Sequence, residues 1–203
     1  MTRRLFVAAW LPPGAAEEAA EVIGRLREHG AEARWVPRGN LHVTLRFLGD
    51  VDEDLVPVTA DALPPVARGI APFALRLAGL GTFPPRGEPR VAWIGVDAGL
   101  EELGRLAVRT EKALLQAGVL PAPDPRPFRA HVTVGRPKRP GGLGRWQNLL
   151  RETAFRGGAH PLEEVRLVES RLSPRGAEYV PVARFPLEGE RPAGATFKGG
   201  SSR

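Results

Sequence analysis

Residues 41–48 read LHVTLRFL, and residues 128–134 read FRAHVTV. Each stretch holds the triplet His-Val-Thr, at 42–44 and again at 131–133. Each alternates apolar and polar positions with the two-residue period of a half-buried strand. On strict alternation Leu41, Val43, Leu45 and Phe47 share a core face, while His42, Thr44, Arg46 and Leu48 share the other. In the second stretch Ala130, Val132 and Val134 form the apolar face. His131 and Thr133 point away from it, with Arg129 beside them. A single triplet of this kind reads most simply as a solvated sheet face. Two copies, in a chain with 4 histidines, point to one site assembled from two strands.

The flanking sequence supplies the scaffold. Residues 4–11 read as a buried strand stopped by Pro12-Pro13, and residues 15–29 as a helix. Ala19, Val22, Ile23 and Leu26 fall at helical spacing, with Gly30 as the stop. Gly49-Asp50 reads as a turn closing the first motif strand. Pro57, Pro64 and Pro65 keep any helix over 52–68 short or broken. Strands are predicted at 73–80 and 90–96, around a loop rich in Pro and Gly, then a helix at 100–117 ahead of the second motif. A short helix at 143–152 and strands at about 164–172 and 178–187 complete the pattern. Residues 188–203 lack periodicity and read as a flexible tail, leaving one bilobal domain over 1–187. Seven strands and two good helices make an α+β chain with mostly antiparallel pairing, in two sheet-plus-helix lobes.

Composition narrows the chemistry. The 203 residues are 42% hydrophobic and 26% charged, which is ordinary globular usage. The absence of cysteine removes disulfides, zinc ribbons and thiol nucleophiles. The net charge of +6 favours a polyanionic partner, RNA being the simplest, although a GC-biased genome also enriches arginine. No signal peptide and no apolar run of membrane-spanning length is visible, so a cytoplasmic protein is expected.

Paired histidines suit phosphodiester cleavage. One group must deprotonate the nucleophile and another must protonate the leaving oxygen, on opposite sides of phosphorus. An imidazole with a pKa of about 6.5 serves either role. Thr44 and Thr133 each place a hydroxyl two residues on from an imidazole, where it can donate to a non-bridging phosphate oxygen. No metal or other cofactor is required. The two motifs contain no Asp or Glu, so a metal would need a third ligand from elsewhere.

NLHVTLRFLGDV (40–51) and FRAHVTVGRPK (128–138) resemble the two motifs of the two-histidine phosphoesterases. RLFVAAWLP, GTFPPRGEPRVAWIGV and ESRLSPRGAEYVPVARFPL resemble further segments of the RNA 2′,3′-cyclic phosphodiesterases within that superfamily, historically called 2′-5′ RNA ligases. The resemblance runs in order to about Leu187. It implies a bilobal fold around a central cleft, two mostly antiparallel sheets with outer helices, and a pseudo-twofold axis. It also implies opening of RNA 2′,3′-cyclic phosphate ends, or of 2′,3′-cyclic nucleotides, to 2′-phosphates by a monomer. His42 would be the proton donor to the 3′ oxygen and His131 the proton acceptor from water. The family's arginine after the second motif is matched by Arg136, which strict alternation would place on the core face.

Further candidates follow from position. Arg46, on the His42 face, reads equally as a phosphate or base contact or as a solvated arginine, and Phe6, with Trp10 in the first strand, as a candidate stacking platform or as part of a second core face. Ser170 and Tyr179 lie in the closing segment, where packing is the simpler reading. His29 and His160 stand outside the motifs and read as structural. Two other functions fit the same residues. One is ATP-independent 2′-5′ ligation at the same site, and the other is RNA binding without catalysis.

Overall fold

The computed structural model describes residues 1–138, 146, 148–150, 153–173 and 176–190. Strand β1 (Thr2–Trp10) leads into helix α1 (Pro13–Glu28), a three-residue strand β2 (Ala33–Trp35) and the first motif strand β3 (His42–Asp52). Two short helices, α2 (Leu55–Asp61) and α3 (Pro64–Ala67), precede a hairpin of β4 (Phe73–Phe83) and β5 (Val91–Ala98). Helix α4 (Leu100–Gln116) and the second motif strand β6 (His131–Pro137) follow, then β7 (Arg156–Leu162), β8 (Glu164–Ser173) and β9 (Gly176–Pro186).

The strands form one sheet in the order β7-β4-β5-β6-β3-β1-β8-β9, with β2 alongside β6. All of these pairings are antiparallel. The two expected sheets are the two halves of this order. They meet between β6 and β3 at the pair Val43↔Val132. Each half holds the same unit of strand, helix and motif strand, namely β1-α1-β3 and β5-α4-β6. The helices cross over: α1 packs on β7 and β4, whereas α4 packs on β3. Each unit therefore buries its helix partly against the opposite half. The shared core includes Leu5, Val7, Val43, Leu75, Ile94 and Val132 from the strands, Leu26 from α1 and Leu106 from α4.

Local chemistry explains where elements depart from expectation. Pro12-Pro13 stops β1 and also starts α1, because proline is tolerated in a helix's first turn. Gly49-Asp50 is not a turn: β3 continues to Asp52, and Gly49, at φ +77°, sits where the register with β1 shifts. Strand β7 leaves no local signal because Gly157, Gly158 and Pro161 oppose strand propensity, and it survives as an edge strand. His160 lies inside this strand, 3.0 Å from Glu18 of α1. The packed chain runs past Leu187. The Glu188 amide donates to the Ala67 carbonyl, and its own carbonyl accepts from Gly69. Of the expected helix at 143–152, Trp146 and residues 148–150 are helical, and the remainder lies outside the described helical residues. Residues 191–203 of the expected tail also lie outside the described residues.

Truncating the fully buried Leu106 to alanine is expected to cost about 2–5 kcal/mol. In a chain of this size that lowers Tm by roughly 2–4 °C per kcal/mol in thermal denaturation. Val108→Ala, on the exposed side of the same helix, is expected to change stability by less than about 0.5 kcal/mol.

Candidate active site

The Val43↔Val132 pair places both valines on the helix-covered face. Alternation on each strand about that pair puts His42 and Thr44, and His131 and Thr133, on the opposite, open face. The two triplets thereby bring a quartet of two imidazoles and two threonines to one face of the sheet, on either side of the junction.

Both motif strands then carry a bulge directly after the threonine. Ala8 pairs with Thr44 but Val7 with Arg46, so Leu45 is an extra residue. Trp93 pairs with Thr133 but Ala92 with Gly135, so Val134 is an extra residue. Each bulge inverts the alternation that follows it. Arg46 therefore leaves the cleft face, contrary to the expected substrate contact. Its Nη1 lies 3.2 Å from Glu111 Oε1 of α4 and 3.1 Å from Asp124 Oδ2, and its Nη2 donates to the Ala122 carbonyl at 3.2 Å. Arg46 so ties β3 to α4 and to the loop that leads into His131. Phe47, expected in the core, turns to the cleft and is 65% exposed. Arg136, which strict alternation puts in the core, turns to the cleft and faces Tyr179, whose hydroxyl feels its charge.

Aromatic rings hold the first histidine. Phe6 stacks on His42 at 4.9 Å between ring centroids, and Trp10 stacks at 5.2 Å with planes 12° apart. Tyr179 meets the imidazole edge-on at 5.4 Å. Phe6 is only 3% exposed. It supports His42 instead of offering a platform to substrate, and Phe47, 6.1 Å from it, presents the open ring. Arg166 lies over Trp10, its guanidinium carbon 4.8 Å from the ring centroid. Around His131 the rings are Phe83, edge-on at 4.9 Å, and Trp93 at 6.4 Å. Sequence reading misses Phe47, Arg166, Phe83 and Trp93 as cleft residues. Their faces depend on bulges and cross-strand register, which leave no local signal.

Both imidazoles are oriented in the same way. His42 Nδ1 is 2.6 Å from the Asn40 carbonyl, and His131 Nδ1 is 2.7 Å from the Arg129 carbonyl. A carbonyl only accepts, so each Nδ1 carries the hydrogen and each Nε2 is left for the cleft. Burial pushes the His42 pKa down to about 4, the Asn40 bond partly opposing this, and the charge of His131 lowers it further. Burial also lowers that of His131. The protein without ligand thus keeps two neutral imidazoles at pH 7, each with an acceptor nitrogen. An anionic phosphate between them supplies the counter-charge that would restore a proton.

Two hollows flank the pair. One of about 390 Å³ lies beside His131, and one of about 110 Å³ lies among Arg4, Phe6, Phe47, Ser170 and Tyr179. Among the described residues, no group of three or more His, Cys, Asp or Glu side chains is placed to hold a metal ion. His29 caps α1, and His160 pairs with Glu18 between α1 and β7.

The family profile described as LigT-like phosphoesterase matches residues 10–93. An RNA 2′,3′-cyclic phosphodiesterase of Thermotoga maritima is 30% identical, the alignment covering 92% of this chain and 96% of that protein. One from Thermus thermophilus is 34% identical over 92% of this chain and 91% of its own length. A crystal structure of a Thermus thermophilus protein superposes with a TM-score of 0.77 at 32% identity, covering 93% of this chain and 100% of that one. Escherichia coli LigT complexed with 3′-AMP gives 0.71 at 25% identity, covering 92% and 99%.

The lowered imidazole pKa values set a sign for stability. Below about pH 6.5 the unfolded chain binds protons that the folded histidines refuse, so the unliganded fold weakens as pH falls toward about 4. Asp97, Asp124 and Glu169, all held low by arginines, lose their contributions in a lower range, beginning near the ordinary carboxylate pKa values. Between pH 6.5 and 5, Tm of the wild type is expected to fall more steeply than that of His42→Asn, and inorganic phosphate is expected to reduce the difference. Equal slopes would contradict the buried neutral His42. Separately, Arg46→Met is expected to lower Tm, because it removes the link from β3 to Glu111, Asp124 and the Ala122 carbonyl, although Asp124 keeps its pairing with Arg126. Thermal or denaturant unfolding measures it.

Proposed function

The chain belongs to the LigT-like phosphoesterase family, and from that premise we propose that it hydrolyses RNA 2′,3′-cyclic phosphate ends to 2′-phosphates with its two histidines and no metal. The observation that carries the reading is the matched pair of imidazoles, each with Nδ1 bonded to a carbonyl and Nε2 left for one cleft between two threonines. In this reading residues 1–187 carry the reaction. Thr44 and Thr133 donate to the non-bridging oxygens as charge builds on them. Arg136 and the other cleft arginines attract the anionic end. His131 Nε2 takes the proton from water as the water oxygen attacks phosphorus. His42 Nε2 gives a proton to the 3′ oxygen as the P–O3′ bond breaks.

The proton starts on the less favourable histidine. His42 is the more buried ring, so in the free protein the singly protonated form holds its proton mainly on His131. Both forms carry one proton and share one pH dependence. Bound phosphate, followed by the developing charge on the 3′ oxygen, shifts the proton to His42. Ligation to a 5′-hydroxyl would use the same groups, but water at bulk concentration favours hydrolysis.

His42→Ala and His131→Ala are each expected to lower kcat roughly 10²–10⁴-fold on 2′,3′-cyclic AMP in a chelator. Phosphorus NMR should find a 2′-phosphate as product; a 3′-phosphate would reverse the leaving group. The kcat/KM profile should peak below about pH 6.5, because both free imidazoles titrate below it. The kcat profile should lie at higher pH, because bound phosphate raises both values. Coincident profiles would count against this proton assignment.

A further inference from the structure

The two halves treat the space beside their histidines differently. In the first half, Trp10 pairs across the strands with His42 and its indole fills the position. In the second half, the residue paired with His131 is Gly95. A side chain is excluded there, since a Cβ on Gly95 would lie 2.7 Å from the Ala78 carbonyl oxygen. Strand β4 is irregular at this point, with Gly79 at φ +69° and the register to β5 shifting between Leu77 and Leu80. The result is the hollow of about 390 Å³ beside His131, walled by Phe83 and Trp93, floored by Gly95 and Gly79, with Arg129 among its lining residues. None of its lining residues comes from β1, β3, β8 or β9, the half that holds His42.

We infer that this hollow is a second nucleoside subsite, separate from the place of the nucleotide whose cyclic phosphate reacts. The inference rests on the proposed cyclic phosphodiesterase reaction. Its volume and paired aromatic walls suit a base with its ribose, and Arg129 suits the connecting phosphate. The nucleoside can be the neighbour upstream in the same RNA strand. It can also belong to a second strand whose 5′-hydroxyl stands where water would. There the P–O5′ bond forms as the P–O3′ bond breaks, His131 takes the hydroxyl proton and His42 protonates O3′.

The test compares kcat/KM for adenosine 2′,3′-cyclic phosphate with that for an ApA dinucleotide ending in a 2′,3′-cyclic phosphate. The wild type is expected to favour the dinucleotide by roughly 5- to 100-fold, the range that stacking one base supports. In Ala78→Phe, and in Leu80→Trp as a second way of filling the hollow, the ratio should fall toward one; a ratio cancels general damage to the protein. If the wild-type ratio is one but added adenosine is joined to the mononucleotide through a 2′,5′ linkage, the subsite stands and its occupant comes from a second strand. A ratio of one with no effect of adenosine, or a preference that survives both filled variants, overturns the inference. Binding of adenosine alone, read from the Trp93 indole N–H resonance, decides the subsite even if neither substrate turns over. Turnover failure alone would instead count against the proposed reaction.

Discussion

One cross-strand pair, Val43 against Val132, brings the two halves of the sheet together and decides what the cleft contains. Because side chains alternate, burying those two valines on the helix-covered face obliges the residues on either side of each to face the opening. Those residues are His42 and Thr44 on one strand and His131 and Thr133 on the other. A slip of one residue would send both histidines into the core and both valines into water. The register is held by burial on one side, and the chemistry is displayed on the other. The crossing of α1 and α4 beneath opposite halves fixes the halves relative to each other.

Beyond the quartet, the bulges decide which side chains face the cleft. Each motif strand slips by one residue after its threonine, at Leu45 and at Val134. The slip moves Arg46 toward α4 and brings Phe47 and Arg136 into the cleft. Arg46 thereby joins the His42 strand to the loop that carries Arg129, whose carbonyl orients His131. The charged group nearest in sequence to the first motif is thus a brace. The side chains that the bulges turn to the cleft stand one position further along. Burial among aromatic rings lowers the proton affinity of the His42 imidazole, and an anion beside it would raise that affinity again.

Much of this was legible in the sequence because it rests on periodicity. The motif strands, β1, α1, α4 and the closing strand pair follow from alternation, helical spacing, and glycine or proline at their ends. The same rule puts His42, Thr44, His131 and Thr133 on one face. The rule fails where a residue is inserted between partners, since a bulge is a property of two strands and no single strand records it. That is why Arg46 and Phe47 exchange faces and why alternation puts Arg136 in the core. Phe6 misleads for a related reason: its strand has two buried faces, and only the tertiary stack on His42 tells support from platform. Strand β2 is too short, and β7 too rich in glycine, for local propensity to reveal either.

The most direct test is a crystal structure of the protein with a 2′-nucleotide bound. Nε2 of His42, Nε2 of His131 and the hydroxyls of Thr44 and Thr133 should all lie within hydrogen-bond distance, about 2.6–3.2 Å, of oxygens on a single phosphate. A phosphate held by one strand only, or seated away from the Val43–Val132 junction, would contradict a site shared between the two halves.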